Sequence, residues 1–176
     1  MGLDVSAIKN AVLVDDPKVS ETEDLDCIYG GNFPQRLGSL VDGAYYDGEP
    51  TGSHYSNGYG RHGLFREKLA ELAGYGAKKT PKPSPGDSDF MNKLYIHHHP
   101  NTVAAWEAGA GPFFELIMFS DCEGYIGPEI CQKLADDFRK FSDTVRLIDD
   151  QWFKQSFFDM RSVFEDGAQS GYVKFH

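Results

Sequence analysis

Apolar residues recur at helical spacing in three stretches of the chain. Phe65, Leu69 and Leu72 fall at i, i+4 and i+7, which predicts a helix over 61–73, and Gly74 stands where a left-handed cap would end it. Ile130, Leu134, Phe138 and Phe141 make a second stripe, predicting a helix over 128–142. Gly127 suits its N-cap, Pro128 its first position, and Glu129 its positive end. Phe153, Phe157, Met160 and Phe164 make a third stripe, predicting a helix over 148–166 closed by Gly167. Val103, Ala104, Ala105 and Trp106 suggest a short helix within 101–110.

Strand patterns frame these helices. Leu3, Val5 and Ala7 alternate with Asp4 and Ser6, and Val12, Leu13 and Val14 follow after Lys9 and Asn10, so 3–14 reads as a strand or a hairpin. Phe113 to Phe119, apolar but for Glu115, is expected to form a central strand. Tyr172, Lys174 and His176 alternate with Val173 and Phe175, as an edge strand would. Residues 27–60 break into short apolar pieces among Gly, Pro, Asn and Asp, which predicts short strands and long loops. Residues 76–89, rich in Lys and Pro, are expected to be a mobile surface loop. Together these predict one α+β domain over 1–176, its largely antiparallel sheet packed with about three main helices. Regular βαβ alternation, which a doubly wound fold needs, is missing.

Charge narrows the partners. A net charge of −10 sets the surface against phosphate backbones, so a nucleic-acid polymer is not expected. The three cysteines, Cys27, Cys122 and Cys131, match no disulfide framework or zinc spacing. The first residues hold no long apolar core, and no run is long enough to cross a membrane. The expected compartment is therefore a reducing cytoplasm.

Two segments carry candidate chemistry. In the first, Gly52, Gly58 and Gly60 surround His54, Tyr55, Ser56 and Tyr59, and Arg61, His62 and Arg66 follow on the predicted helix. Read as a Gly-rich loop, it would turn N–H groups toward an anion at a helix start, with Arg61 to pair and a Tyr to stack on a ring. The Walker A pattern is absent. The plain alternative is a Gly-rich turn with its tyrosines in the core. The second segment runs from Ser120 to Gly127. There Asp121 and Glu123 lie two apart, so in extended chain they share one side and, with Ser120, are expected to accept donors from a ligand. Cys122 has no His near it in sequence. The run His97-His98-His99 reads as a solvated loop rather than a metal site.

The opening MGLDV, the stretch GSHYSNGYGRHGLFREKLAELAG, the stretch GPFFELIMFSDCEGYIGPEICQKLADDF and the tail GYVKFH together resemble a group of bacteriophage and prophage proteins with no assigned activity. That resemblance implies a viral accessory protein, acting in the host cytoplasm against host defence, and transfers no catalytic residue.

The resulting expectation is a protein that binds and sequesters a small anionic molecule, such as a nucleotide-type defence signal, with no cofactor and no metal. Its ligand-binding residues would be His54, Tyr55, Ser56, Tyr59, Arg61, His62, Arg66, Ser120, Asp121 and Glu123. An acidic inhibitor of a host protein and a metal-dependent hydrolase are the alternatives. Self-association into a homo-oligomer also stays open.

Overall fold

The computed structural model describes residues 2–15, 17–18, 24–31, 33–75, 100–119 and 124–176. Contacts gather them into two compact units, one within residues 57–120 and the other formed by 2–56 with 121–176. The chain is α+β, with an antiparallel five-stranded sheet. The expected loop at 76–89 and the run His97–His99 lie outside the described residues.

The sheet belongs to the second unit. Its strands are β1 (Gly2–Val14), β2 (Asp26–Cys27), β3 (Tyr45–Gly58), β4 (Gly124–Ile126) and β5 (Tyr172–Phe175), in the spatial order β2-β3-β1-β5-β4. Alternation along β1 sends Leu3, Val5 and Ala7 into the core and leaves Asp4, Ser6 and Ile8 on the opposite face. Register against β5 pairs Val5 with Phe175 and Ala7 with Val173, so the buried faces coincide.

Two helices cover that apolar face, α4 (Pro128–Arg146) and α5 (Gln151–Gly167). Phe138 is their pivot, edge-on to Phe157 at 4.8 Å and stacked on Phe164 at 5.9 Å. Gly127 is the N-cap of α4 and Pro128 opens it, as the sequence predicts. The buried stripe of α4 is Cys131, Leu134, Ala135, Phe138, Ser142 and Val145. It is therefore turned from the predicted one, and Ile130 and Phe141 are only half-buried. The last helix begins three residues later than predicted, because the Asp150 carboxylate caps it by accepting the Phe153 N–H at 2.9 Å.

The first unit contains α1 (Tyr59–Leu72), α2 (Pro100–Ala108) and the single turn α3 (Phe114–Ile117). α1 buries His62, Phe65, Arg66, Leu69 and Ala70. Gly74, at φ 81°, ends it as expected: Tyr75 N–H returns to the Ala70 carbonyl and Gly74 N–H to Glu71, a paired 6→1 and 5→2 closure.

Three expectations need correcting. Residues 113–119 are not a strand. Phe113 adopts a left-handed backbone at φ 57° and its carbonyl accepts the N–H groups of Leu116 and Ile117, so the run folds into the buried turn α3. A short run whose one polar residue, Glu115, is itself buried carries no period that separates a buried strand from a buried helix. Residues 45–58 are not loops and short pieces but one strand of 14 residues. Gly48 serves there by lacking a side chain, since a Cβ would stand 2.4 Å from Ile8 Cγ2. The tail, finally, is not an edge strand: β5 lies between β1 and β4. The stretch 2–14 resolves as one strand rather than a hairpin, with Asn10 at φ 53° marking a local kink.

Candidate functional site

The sheet is curled. β2 and β4 are its opposite edges, yet Tyr125 Oη on β4 donates to the Asp26 carboxylate on β2 at 3.2 Å. Tyr172 Oη on β5 donates to the other oxygen, Oδ2, at 2.8 Å, and Lys174 Nζ pairs with Oδ1, the oxygen that Tyr125 uses. One carboxylate thus collects three donors and draws the edges together over the face away from the helices. Both phenols are held well above the usual tyrosine range, by burial first and then by the Asp26 charge, so they stay protonated donors.

Half of this concave face is filled. The segment from Ile28 to Ala44 folds over it, and Ile28, Leu37, Tyr46 and Tyr172 form a small apolar cluster with Ile8 and Leu40 against it. A 3-10 turn at Pro34–Leu37 fixes that segment, with the buried Arg36 guanidinium 4.0 Å from the Phe33 ring centre. The Arg36 carbonyl accepts the Gly127 N–H at 2.8 Å. Only glycine fits at 127, because a Cβ would stand 1.8 Å from the Leu37 carbonyl oxygen.

The other half carries polar side chains. Asp4 and Ser6 lie on β1, His54 and Ser56 on β3, Lys174 on β5, and His176 directly after it. His54 Nε2 is 3.3 Å from Asp4 Oδ1, and Ser6 Oγ is 3.1 Å from His176 Nε2. The Ser56 hydroxyl and the His54 imidazole hold the Asp4 carboxyl below its ordinary range. Among the described residues this strip therefore offers hydroxyls and imidazoles, beside the Lys174 ammonium paired with Asp26 and the Asp4 carboxylate hydrogen-bonded to Ser56 and His54.

Of the residues singled out in the sequence, His54 and Ser56 come together here, with Asp4 between β3 and β5. Tyr55 alternates to the opposite face and is 1% exposed. His62 and Arg66 are buried in the helical unit. His62 is pushed down to about 3 by desolvation and then by the neighbouring Arg66 cation, so it brings no charge at neutral pH. Arg66 Nε donates to the Ile117 carbonyl at 3.0 Å, closing the end of α3. Arg61 is exposed and Tyr59 half-buried, both on the first turn of α1. Ser120, Asp121 and Glu123 lie outside the described residues.

The start of α4, opened by Gly127 and Pro128, already holds a carboxylate. Glu129 accepts the Ser39 N–H at 3.0 Å. Burial would raise its pKa, but hydrogen bonds from Ser39 and from its own N–H outweigh that and leave it lowered. The protein's own side chain occupies the positive pole of the helix.

Sequence reasoning missed Asp26, Tyr125, Tyr172, Lys174 and His176. Asp26 and Lys174 are separated by 148 residues, and no local spacing announces such a pair. Among the described residues, no cluster of three His, Cys, Asp or Glu side chains is placed to hold a metal ion. No helix among them is long and apolar enough to cross a membrane. Comparisons with family models, curated proteins and solved structures found no match.

Proposed function

We propose that the protein binds and sequesters a small anionic ligand on the open strip of β1, β3 and β5. The observation that carries this reading is the convergence of Ser6, His54, Ser56, Lys174 and His176 on one uncovered concave face. These groups donate hydrogen bonds, and an ammonium, or an imidazole once protonated, strengthens its bond to a phosphate or carboxylate by its charge. The resemblance to phage proteins supplies a setting in which the ligand is a nucleotide-type signal of host defence, removed from the host cytoplasm by stoichiometric binding.

Calorimetric titration with a panel of mono- and cyclic dinucleotides, alongside inorganic phosphate, tests the reading. A saturable heat that falls at least tenfold in affinity in His54→Ala and His176→Ala supports it. Full affinity in both variants contradicts it, as does the absence of binding by every member of the panel. An acidic surface engaging a host protein would give that second outcome.

A further inference from the structure

A second hollow in the sheet unit carries chemistry of the opposite sense. It has a volume of about 590 Å³, within the range of small-molecule sites, and lies beside the start of α4. Ser39 and Leu40 bound it on one side, Glu129 and Gln132 on another, with Tyr46 and Ser170 completing the wall. Among the described residues, Glu129 is its only charged lining residue. Its carboxylate is fixed rather than free to swing, because Oε2 is tied to the Ser39 N–H. Gln132 donates its Nε2 to Asp136 at 3.0 Å, which leaves its amide oxygen as the acceptor it can offer. Tyr46 Oη accepts the Val41 N–H at 3.1 Å, so the phenol ring is held in place.

The rim is also built with care. Ser170 holds a left-handed backbone at φ 53°, which costs energy for a residue with a Cβ. Its carbonyl is kept there by the Ala11 N–H at 2.8 Å. Gly38, at φ 57°, brings the opposite rim against Glu129, since a Cβ there would collide with the carboxylate.

The geometry points to a binding site, distinct from the strip, for a small ligand that presents O–H or N–H donors. Carboxylate, amide oxygen and hydroxyls form an acceptor-rich wall, and an anion would meet the Glu129 negative charge at close range. A sugar-like polyol and a primary amine share the required donors, and the two differ in charge. Glu129 is held in the ionised form at neutral pH by its hydrogen bonds, which suits either partner.

Amide chemical-shift titration of the labelled full chain separates the arms, with ribose as the polyol, putrescine as the amine and inorganic phosphate as the counter-probe. Ribose or putrescine should shift the amides of Ser39, Gln132 and Ser170 saturably, while phosphate leaves them in place. Glu129→Gln, which keeps shape and removes charge, should weaken putrescine at least tenfold and ribose less. Gln132→Trp, at an exposed helix position, should fill the hollow and abolish both without loss of fold. The proposal is overturned if neither probe shifts these amides saturably, or if both variants bind as the parent does.

Discussion

Acidification should weaken the helical unit through one residue, His62. The imidazole lies on the inner side of α1 and is 1% exposed. Its pKa falls from 6.5 to about 3 on folding, because burial penalises the charged form and Arg66 stands close by. An unfolded chain takes up a proton near 6.5, whereas the folded chain resists until about 3. Protonation therefore favours the unfolded state. The contribution of His62 is complete above 6.5 and is lost as pH falls through the window from 6.5 toward 3. Between pH 7 and pH 5 the linkage amounts to about 2 kcal/mol, and this figure hardly depends on the folded value so long as it stays below about 4.

The assay is urea unfolding followed by Trp106, which lies in the same unit, in a Trp152→Phe background that removes the other indole. His62→Gln supplies the control. Other titrating groups are common to both proteins, so the difference between their pH slopes isolates this histidine. Loss of about 2 kcal/mol more in the parent than in the variant over that interval agrees with the reasoning. Parallel slopes would refute it, and would mean that His62 is reached by water or paired with an acid in the folded state.

Three further outcomes follow from the packing. Gly127→Ala should cost on the order of 3 kcal/mol or more in thermal or urea unfolding, since its Cβ would stand 1.8 Å from the Leu37 carbonyl oxygen; a loss below that of an ordinary surface substitution would contradict the contact. Asp26→Ala should cost on the order of 2–4 kcal/mol by stranding two phenols and an ammonium, and a cycle with Tyr125→Phe should show coupling between the two strand edges, with additivity as the refuting result. Gly171→Ala should likewise destabilise the sheet unit, because its Cβ would meet the Ile8 carbonyl oxygen at 1.8 Å; unchanged unfolding would refute that approach.

How much of this was legible in the sequence depended on periodicity. α1, α4 and α5 each expose one face, so Phe65, Leu69, Leu134, Phe138, Phe157 and Phe164 announced them. Their punctuation was readable too, as Gly74 and the Gly127-Pro128 pair show. The run 113–119 is buried throughout, its single polar residue Glu115 included, so strand and helix look alike. β3 hid for another reason. Gly48, Pro50 and Gly52 imitate loop composition, although Gly48 is required there by the close approach of Ile8. Gly167, expected to end the helix, is its last residue, and its bare Cα also lets Cys131 Sγ and Val173 pack against it.

For the candidate site, residue types were legible and their placement was not. His54 and Ser56 were expected to contact a ligand, and alternation along β3 brings them to the open face. The same alternation carries Tyr55 inward, as the plain alternative with core tyrosines has it, although strand alternation rather than a turn is the cause. Their neighbours Ser6 and His176 are 170 residues apart in the chain and meet only through the β1–β5 register.

The account rests most directly on the claim that the polar strip binds an anion. Isothermal titration of the parent and of the His54→Ala, His176→Ala double variant with the tightest-binding nucleotide of the panel tests it. The account predicts saturable binding by the parent, a loss on the order of 1.5–3 kcal/mol for each charge-assisted contact removed, and an unchanged melting temperature. Equal affinity in parent and double variant, at equal stability, would contradict it.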